Sequence, residues 1–172
     1  MINKIKHDMK KTFVSIYTLL LILLVFSACE DHRLEGMVDD HIYLLNTGIQ
    51  IQELGRTEAL NYELVVYKSG MGVAKSEAYV SIDPSVLEEY NKTSEKKYEM
   101  LPDACFNLEE TDCIFMDETV SESVNLTLDG GAIYMLQGRL TTNYAIPLRL
   151  IPVSGVSVDS LKSTAIIVPK IK

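Results

Sequence analysis

The chain has 172 residues, a formal net charge of −8 and three cysteines, and 47% of its residues are hydrophobic. This length fits one domain, or one domain behind a processed leader. An acidic chain is repelled by phosphate backbones and by anionic lipid surfaces, so we expect no nucleic-acid partner.

The first 28 residues have the pattern of a secretory signal peptide. Four lysines and one aspartate precede an uncharged apolar run over residues 13–26, and Ser27 and Ala28 lead into Cys29. A membrane-spanning helix needs about 20 apolar residues, so this run is too short for a transmembrane anchor, which is the rival interpretation. The sequence predicts a signal peptide over residues 1–28.

Residues Phe26 to Cys29 resemble the lipobox of bacterial lipoproteins, in which small residues precede a cysteine that receives diacylglycerol. We therefore expect lipidation of Cys29, with an unmodified Cys29 after an ordinary signal-peptide cut as the alternative. Each buried CH₂ of such a lipid contributes ~0.8 kcal/mol to membrane anchoring. The predicted location is the outer membrane, with the domain facing the cell surface or the periplasm.

Processing would remove four lysines and one aspartate, which lowers the formal charge from −8 to −11. The acidic residues 29–40 that follow are expected to form a flexible tether. The domain itself is predicted to cover residues 41–172.

Two cysteines, Cys105 and Cys113, remain beyond the lipobox. Exported proteins are compatible with disulfides, and the short acidic segment between the two cysteines could form a hairpin that joins them. The alternative is that both are small buried residues with free thiols. The sequence alone leaves both open.

Apolar residues alternate with polar ones in four long segments, which predicts strands with one buried face. These segments are 60–66, 78–82, 124–128 and 144–150, and shorter strand candidates are 42–45, 49–53, 106–108, 114–116 and 164–168. Glycine-containing turns separate the segments, which is typical of an all-β sandwich or barrel. Pro147 lies inside one predicted strand and indicates an edge strand or a bulge.

One short helix is predicted near residues 84–91. Asp83 can cap it, Pro84 suits its first position, and Val86, Leu87 and Tyr90 fall on one face. Residues 132–138 are ambiguous between a helical turn and a strand.

Several segments in order resemble a known family. They are Tyr62-Glu63-Leu64 with Ser69-Gly70, Val80-Ser81-Ile82-Asp83, Glu89-Tyr90-Asn91, Tyr98 with Leu101-Pro102, and Tyr144-Ala145-Ile146-Pro147-Leu148. This succession resembles domain-of-unknown-function family 1735, the immunoglobulin-like N-terminal domain of surface lipoproteins in Bacteroidetes-type bacteria. The likeness extends from about Ile42 to Ile171. It implies an immunoglobulin-like β-sandwich of about seven to nine strands in a protein linked to glycan capture. The family has no established catalytic residues.

The residues that carry catalysis are scarce in the predicted domain. His32 and His41 lie in or beside the tether, and no cysteine–histidine set has the spacing of a zinc site. We expect no enzyme activity, no cofactor and no bound metal. Acidic pairs, which a glycosidase would need, occur at Glu88-Glu89, Glu109-Glu110 and Asp117-Glu118, where solvent-exposed acids are the ordinary interpretation.

Sugar-binding surfaces stack sugars on aromatic rings, and the chain has nine tyrosines and no tryptophan. Three tyrosines, at 62, 90 and 144, are predicted to be buried, whereas the alternation leaves 43, 67, 79, 98 and 134 undecided. The sequence favours a non-catalytic cell-surface lipoprotein module that contacts a surface glycan or a surface protein in glycan capture. The alternatives are an adhesin or pilus-like structural subunit, and a glycoside hydrolase-associated enzyme.

Overall fold

The structure is a computed structural model that describes residues 41–69, 75–116, 119–137 and 142–172. The predicted signal peptide, Cys29 and the tether over residues 29–40 lie outside the described residues. The chain divides into two compact units, residues 1–37 and 38–172, and every described residue belongs to the second.

The described residues form eleven strands, two α-helices and two short 3-10 helices. The strands are β1 (His41–Leu44), β2 (Gly48–Leu54), β3 (Ala59–Lys68), β4 (Ser76–Ile82), β5 (Glu99–Met100), β6 (Phe106–Glu109), β7 (Asp112–Phe115), β8 (Ser121–Asp129), β9 (Tyr144–Ser154), β10 (Ser157–Val158) and β11 (Thr164–Ile171). The helices are α1 (Pro84–Thr93) and α2 (Gly130–Gln137), and the 3-10 helices are Asp103–Cys105 and Ser160–Lys162. Neither α-helix is long and apolar enough to cross a membrane.

The strands form two sheets that pack face to face. The first sheet has the order β10-β1-β3-β8-β6 and the second has the order β2-β11-β9-β4-β7, with β5 pairing beside β9. The consecutive strands β1 and β2 join different sheets, where β1 runs antiparallel to β3 and β2 runs parallel to β11. The all-β, immunoglobulin-like sandwich is confirmed.

The predicted alternation places the apolar residues between the sheets. Leu64 and Val66 of β3, and Val124 and Leu126 of β8, are each 0% exposed. Their sequence neighbours on the same strands point outward, as the period of two requires. All nine predicted strand segments form strands, and the two additional strands, β5 and β10, have only two residues each.

Helix α1 begins where the sequence predicts and ends two residues later than predicted. An oxygen of the Asp83 side chain accepts a hydrogen bond from the Ser85 backbone N–H at 2.9 Å, and Pro84 occupies the first turn. At the other end, the N–H of Ser94 donates to the carbonyl of Tyr90 at 3.0 Å. These two caps set the length of the helix.

Helix α2 resolves the ambiguity over residues 132–137 in favour of a helix, which the sequence does not predict, and residue 138 lies outside the described residues. The Asp129 carboxylate accepts hydrogen bonds from the N–H groups of Gly131, at 2.8 Å, and Ala132, at 3.0 Å, which starts the helix. Gly130 permits a close approach, because a Cβ there would lie 2.2 Å from the carbonyl oxygen of Gly55.

The prediction that Pro147 marks an edge or a bulge is wrong, because β9 is the central strand of the second sheet. The carbonyl of Pro147 accepts from the N–H of Asp83 at 3.1 Å, one residue after β4 ends. The carbonyl of Asp83, which would otherwise need an N–H from Pro147, accepts from Val86 in α1 at 3.1 Å. Pro147 is tolerated because the helix supplies the hydrogen bond that proline cannot give.

Candidate ligand-binding surfaces

Cys105 and Cys113 are both buried and both free, so the predicted alternative of a disulfide between them is not formed in this structure. Cys105 ends the 3-10 helix that leads into β6 of the first sheet, whereas Cys113 lies in β7 of the second sheet. Burial raises the pKa of both thiols, that of Cys113 to about 11, with smaller contributions from nearby carboxylates. Both residues therefore remain neutral thiols in the apolar interior.

The acidic pairs that a glycosidase would need are surface residues where the structure describes them. Glu88 and Glu89 are exposed on α1, and Glu109 and Glu110 are exposed at the end of β6 and in the turn that follows. The pair Asp117-Glu118 lies outside the described residues. Within the described ranges, no three potential ligands cluster to hold a metal ion. The described pairs are therefore solvent-exposed charges.

Several residues that carry the family resemblance hydrogen-bond the segment after α1 to the helix. The Asn91 side chain donates to the Tyr98 carbonyl at 2.8 Å and accepts from the Tyr98 N–H at 3.0 Å. This two-point contact fastens the segment after α1 to the helix, and Ser94 adds a hydrogen bond to the Tyr90 hydroxyl at 2.8 Å. Tyr90 and Tyr98 lie with ring centroids 5.9 Å apart. This tyrosine pair belongs to the packing of the fold.

The outer face of the second sheet is covered by this helix and the segment behind it. Val86, Leu87 and Tyr98 form an apolar cluster with Ala145 of β9 and two residues of β11, Ile166 and Val168. Tyr98 is only 6% exposed. The cluster leaves this part of the second sheet without a free surface.

On the outer face of the first sheet, several described residues of β3 and β8 are exposed. The exposed polar residues include Asn61, Glu63, Ser121 and Asn125, whereas Val65 and Ser123 on the same face are half-buried. The Thr127 hydroxyl donates to the Asn61 side chain at 2.9 Å across this face. Part of this face is therefore solvated.

A second tyrosine pair interrupts this polar face. Tyr43 of β1 lies directly opposite Tyr67 of β3, and their rings stack with centroids 6.1 Å apart and an interplanar angle of 27°. Both side chains are half-buried. The Lys162 ammonium lies 4.8 Å from the centre of the Tyr43 ring, and Ser121 of β8 is the opposite neighbour of Tyr67. We refer to Tyr43 and Tyr67 as the tyrosine platform.

Hydrogen-bonding side chains border the tyrosine platform. His41, two residues before Tyr43, shares a 2.8 Å hydrogen bond between its Nδ1 and the Ser157 hydroxyl. The Ser69 hydroxyl accepts from the His41 N–H at 3.1 Å. The platform thus combines an apolar aromatic surface with a row of hydroxyl and imidazole groups. The sequence alone leaves the exposure of Tyr43 and Tyr67 undecided, and the pairing of β1 with β3 places the two side by side on the outer face.

A cleft of about 260 Å³ lies at another part of the molecule, beside the carboxyl end of β11. Its apolar lining includes Ile51 of β2 and Val168 of β11, and its polar lining includes Lys96, Asn143 and Lys170. No motif in the sequence points to it, because its lining comes from segments far apart in the chain.

Comparison with solved structures shows the fold. A candidate carbohydrate-binding protein from Bacteroides ovatus is 21% identical, with a TM-score of 0.62 over 76% of this chain and 36% of that chain. A multidomain protein from the same species that includes domain of unknown function 1735 is 13% identical, with a TM-score of 0.57 over 77% and 45% of the two chains. EndoBT-3987 from Bacteroides thetaiotamicron, solved with a Man5GlcNAc product, is 24% identical, with a TM-score of 0.52 over 72% and 28%.

The chain therefore spans less than half the length of each of these three structures. No curated protein sequence matches it. A family model described as an N-terminal domain matches residues 38–157, more than half of the chain. The chain belongs to this family of N-terminal domains.

Proposed function

We propose that this chain is a non-catalytic lipoprotein module of family 1735 that captures glycans at the bacterial cell surface. The observation that carries the proposal is the tyrosine platform on the open face of the first sheet. The exposed position of the described acidic pairs supports a binding role over hydrolysis. Two structural neighbours also favour it, since one is a candidate carbohydrate-binding protein and the other was solved with a glycan product.

Tyrosine rings suit this role because a sugar ring has an apolar face of C–H groups and a rim of hydroxyls. The C–H face stacks on the aromatic ring, and the hydroxyls exchange hydrogen bonds with side chains at its border. His41, Ser69 and Ser157 hydrogen-bond one another at the border of the rings, and sugar hydroxyls would use the hydrogen-bonding capacity that these contacts leave. The free energy gained by one sugar on one platform is small, so an affinity near 1 mM, about −4 kcal/mol, is expected for a single contact.

The predicted lipid anchor makes weak contacts useful. Many copies held on one membrane bind a polymer at several points, and each later contact benefits from a high effective concentration. We therefore propose that Cys29 carries the lipid, that residues 29–40 form the tether, and that the domain faces the outside of the outer membrane. Replacing Cys29 by Ala is expected to abolish fatty-acid labelling and to release the protein from the membrane fraction. Labelling that persists in this variant would contradict the anchor.

The glycan role is tested on the full chain, purified in detergent and applied to an array of polysaccharides. We expect binding to at least one neutral glycan, without release of reducing ends. The double variant Tyr43→Ala/Tyr67→Ala is expected to lose tenfold or more in affinity, which corresponds to about 1.4 kcal/mol.

Tyr134→Ala is the matched control. Tyr134 is 39% exposed on α2, and Arg56 lies 5.0 Å from the centre of its ring, as Lys162 lies over Tyr43. This variant should bind like the unmodified chain. Failure of the unmodified chain to bind any glycan, or equal losses in both variants, would contradict the proposal.

A further inference from the structure

The cleft beside β11 differs in chemistry from the tyrosine platform. Ile51, Val168 and Ile171 supply apolar side chains, and Lys96, Asn143 and Lys170 supply hydrogen-bond donors. Its volume of about 260 Å³ lies just below the range of about 300–1,000 Å³ that is typical of pockets for drug-sized ligands. This volume suits one sugar ring better than a longer oligosaccharide.

The charge of the cleft is opposite to that of the chain. Among the described residues, two lysines and no aspartate or glutamate line it, although the chain has a net charge of −8. Concave surfaces of one charge concentrate ligands of the opposite charge. The lining therefore favours an anionic ligand.

Neither lysine is held in an exclusive ion pair. The Lys96 ammonium lies 5.2 Å from the centre of the Tyr98 ring, and no carboxylate of the described ranges lies within ion-pair distance of it. Lys170 contacts Glu53 at 3.2 Å, but Lys172 contacts the same carboxylate, also at 3.2 Å. Lys172 can thus neutralise Glu53 while Lys170 turns toward a ligand.

We propose that this cleft binds a carboxylate-bearing sugar residue, a hexuronate, of an acidic glycan. This inference rests on the proposed glycan function. It adds acidic glycans as a second ligand class and the cleft as a second binding site beside the tyrosine platform. The carboxylate accepts charge-assisted hydrogen bonds from Lys96 and Lys170, and Asn143 contacts ring hydroxyls. The apolar face of the sugar ring packs on Ile51 and Val168.

The test compares two ligands that differ only in the carboxylate, methyl β-glucuronoside and methyl β-glucoside, titrated into the isotope-labelled full chain by NMR. Two exposed lysine contacts together contribute about tenfold in affinity, so the glucuronoside should bind about tenfold more tightly. Added salt should reduce this preference, because exposed charges are screened.

Lys96→Gln and Lys170→Gln are each expected to lower the affinity for the glucuronoside about threefold without changing that for the glucoside. Lys92→Gln is the control, because Lys92 is exposed on α1 and does not line the cleft. Equal affinity for both ligands, or a preference that survives in both cleft variants, would overturn the inference. Neutral glycans that still bind the tyrosine platform would in that case leave the proposed function intact.

Discussion

One pair of tyrosines lies on the first sheet and another lies over the second, both outside the central interior, and the two pairs differ in their surroundings. Ring centroids lie 5.9 Å apart in the Tyr90–Tyr98 pair and 6.1 Å apart in the Tyr43–Tyr67 pair. The first pair joins α1 to the segment after it, where Asn91 hydrogen-bonds Tyr98, whereas the second lies on the outer face of the first sheet among exposed polar residues. The distance between the rings is therefore similar in the two pairs, whereas the elements around the rings differ.

The comparison predicts that truncation beside the covered pair will destabilise the protein far more than truncation on the open face. Leu87→Ala removes a side chain that is 5% exposed and leaves a cavity between α1 and the second sheet, which costs about 2–5 kcal/mol. Leu45→Ala is the matched control, because Leu45 is 53% exposed after β1, and it should cost about 0.5 kcal/mol or less. Urea unfolding measures both, and equal losses would contradict the assignment of a covered and an open face.

The link between α1 and Tyr98 can be broken by Asn91→Ala. This change removes both hydrogen bonds to the Tyr98 backbone and leaves a carbonyl and an N–H without their partner, so we expect a loss of about 1–3 kcal/mol. Asn125→Ala, at an exposed position of β8, should change the free energy of unfolding by about 0.5 kcal/mol or less. If the two variants unfold at the same urea concentration, the Asn91 hydrogen bonds do not stabilise the segment around Tyr98.

The strands and the first helix could be predicted from sequence because their signals are local. Alternation with a period of two identifies a strand, and Asp83 followed by Pro84 identifies a helix start. The pairing of the strands is not local. Nothing within residues 41–54 indicates that β1 joins one sheet and β2 the other. Likewise, the residues around Pro147 do not indicate that it lies in a central strand.

The candidate sites could be predicted only in part. The sequence leaves the exposure of Tyr43 and Tyr67 undecided, and it cannot show that they lie opposite each other or that α1 covers the other sheet. The motif residues Asp83, Asn91 and Tyr98 support the family resemblance. In the structure, Asp83 caps α1 and the Asn91 side chain hydrogen-bonds the Tyr98 backbone. The cleft has no local signal at all, because Lys96 and Lys170 lie 74 positions apart in the sequence.

A smaller effect on the free energy of unfolding is expected from the Asp83 carboxylate that caps α1. Hydrogen bonding by Ser85 and then by Arg149, whose Nε lies 2.5 Å from the carboxylate, holds the pKa of Asp83 below its ordinary value of 3.8. Because the pKa is lowered in the folded state, this stabilisation is complete above the ordinary value and is lost as the pH falls through the folded one. Asp83→Asn keeps a capping side chain and loses the charge, so we expect a loss of about 1 kcal/mol or less at pH 7.

The pH dependence separates this charge effect from a packing defect. In urea unfolding, the difference between Asp83→Asn and the unmodified chain should shrink as the pH falls below 3.8 and approach zero once the folded carboxylate is protonated. A difference that stays constant from pH 7 to well below 3.8 would show that the Arg149 contact contributes nothing.

The smallest effect on stability is expected on the tyrosine platform itself. Tyr67→Phe removes only a hydroxyl from a half-buried ring on the open face, so the free energy of unfolding should change by about 0.5 kcal/mol or less. The stacking surface is retained, and glycan affinity should fall less than in Tyr67→Ala. Calorimetry measures both quantities, and a strongly destabilised Phe variant would mean that the Tyr67 hydroxyl belongs to the packing of the fold.

The most direct test of the open face as a binding surface is to map where a neutral glycan touches the protein. Manno- and xylo-hexasaccharides would be titrated into the isotope-labelled full chain while amide chemical shifts are followed by NMR. We predict the largest shifts at residues 41–45 and 65–69, around the tyrosine platform. Binding with shifts confined to residues 84–100, on the covered face of the second sheet, would contradict the account.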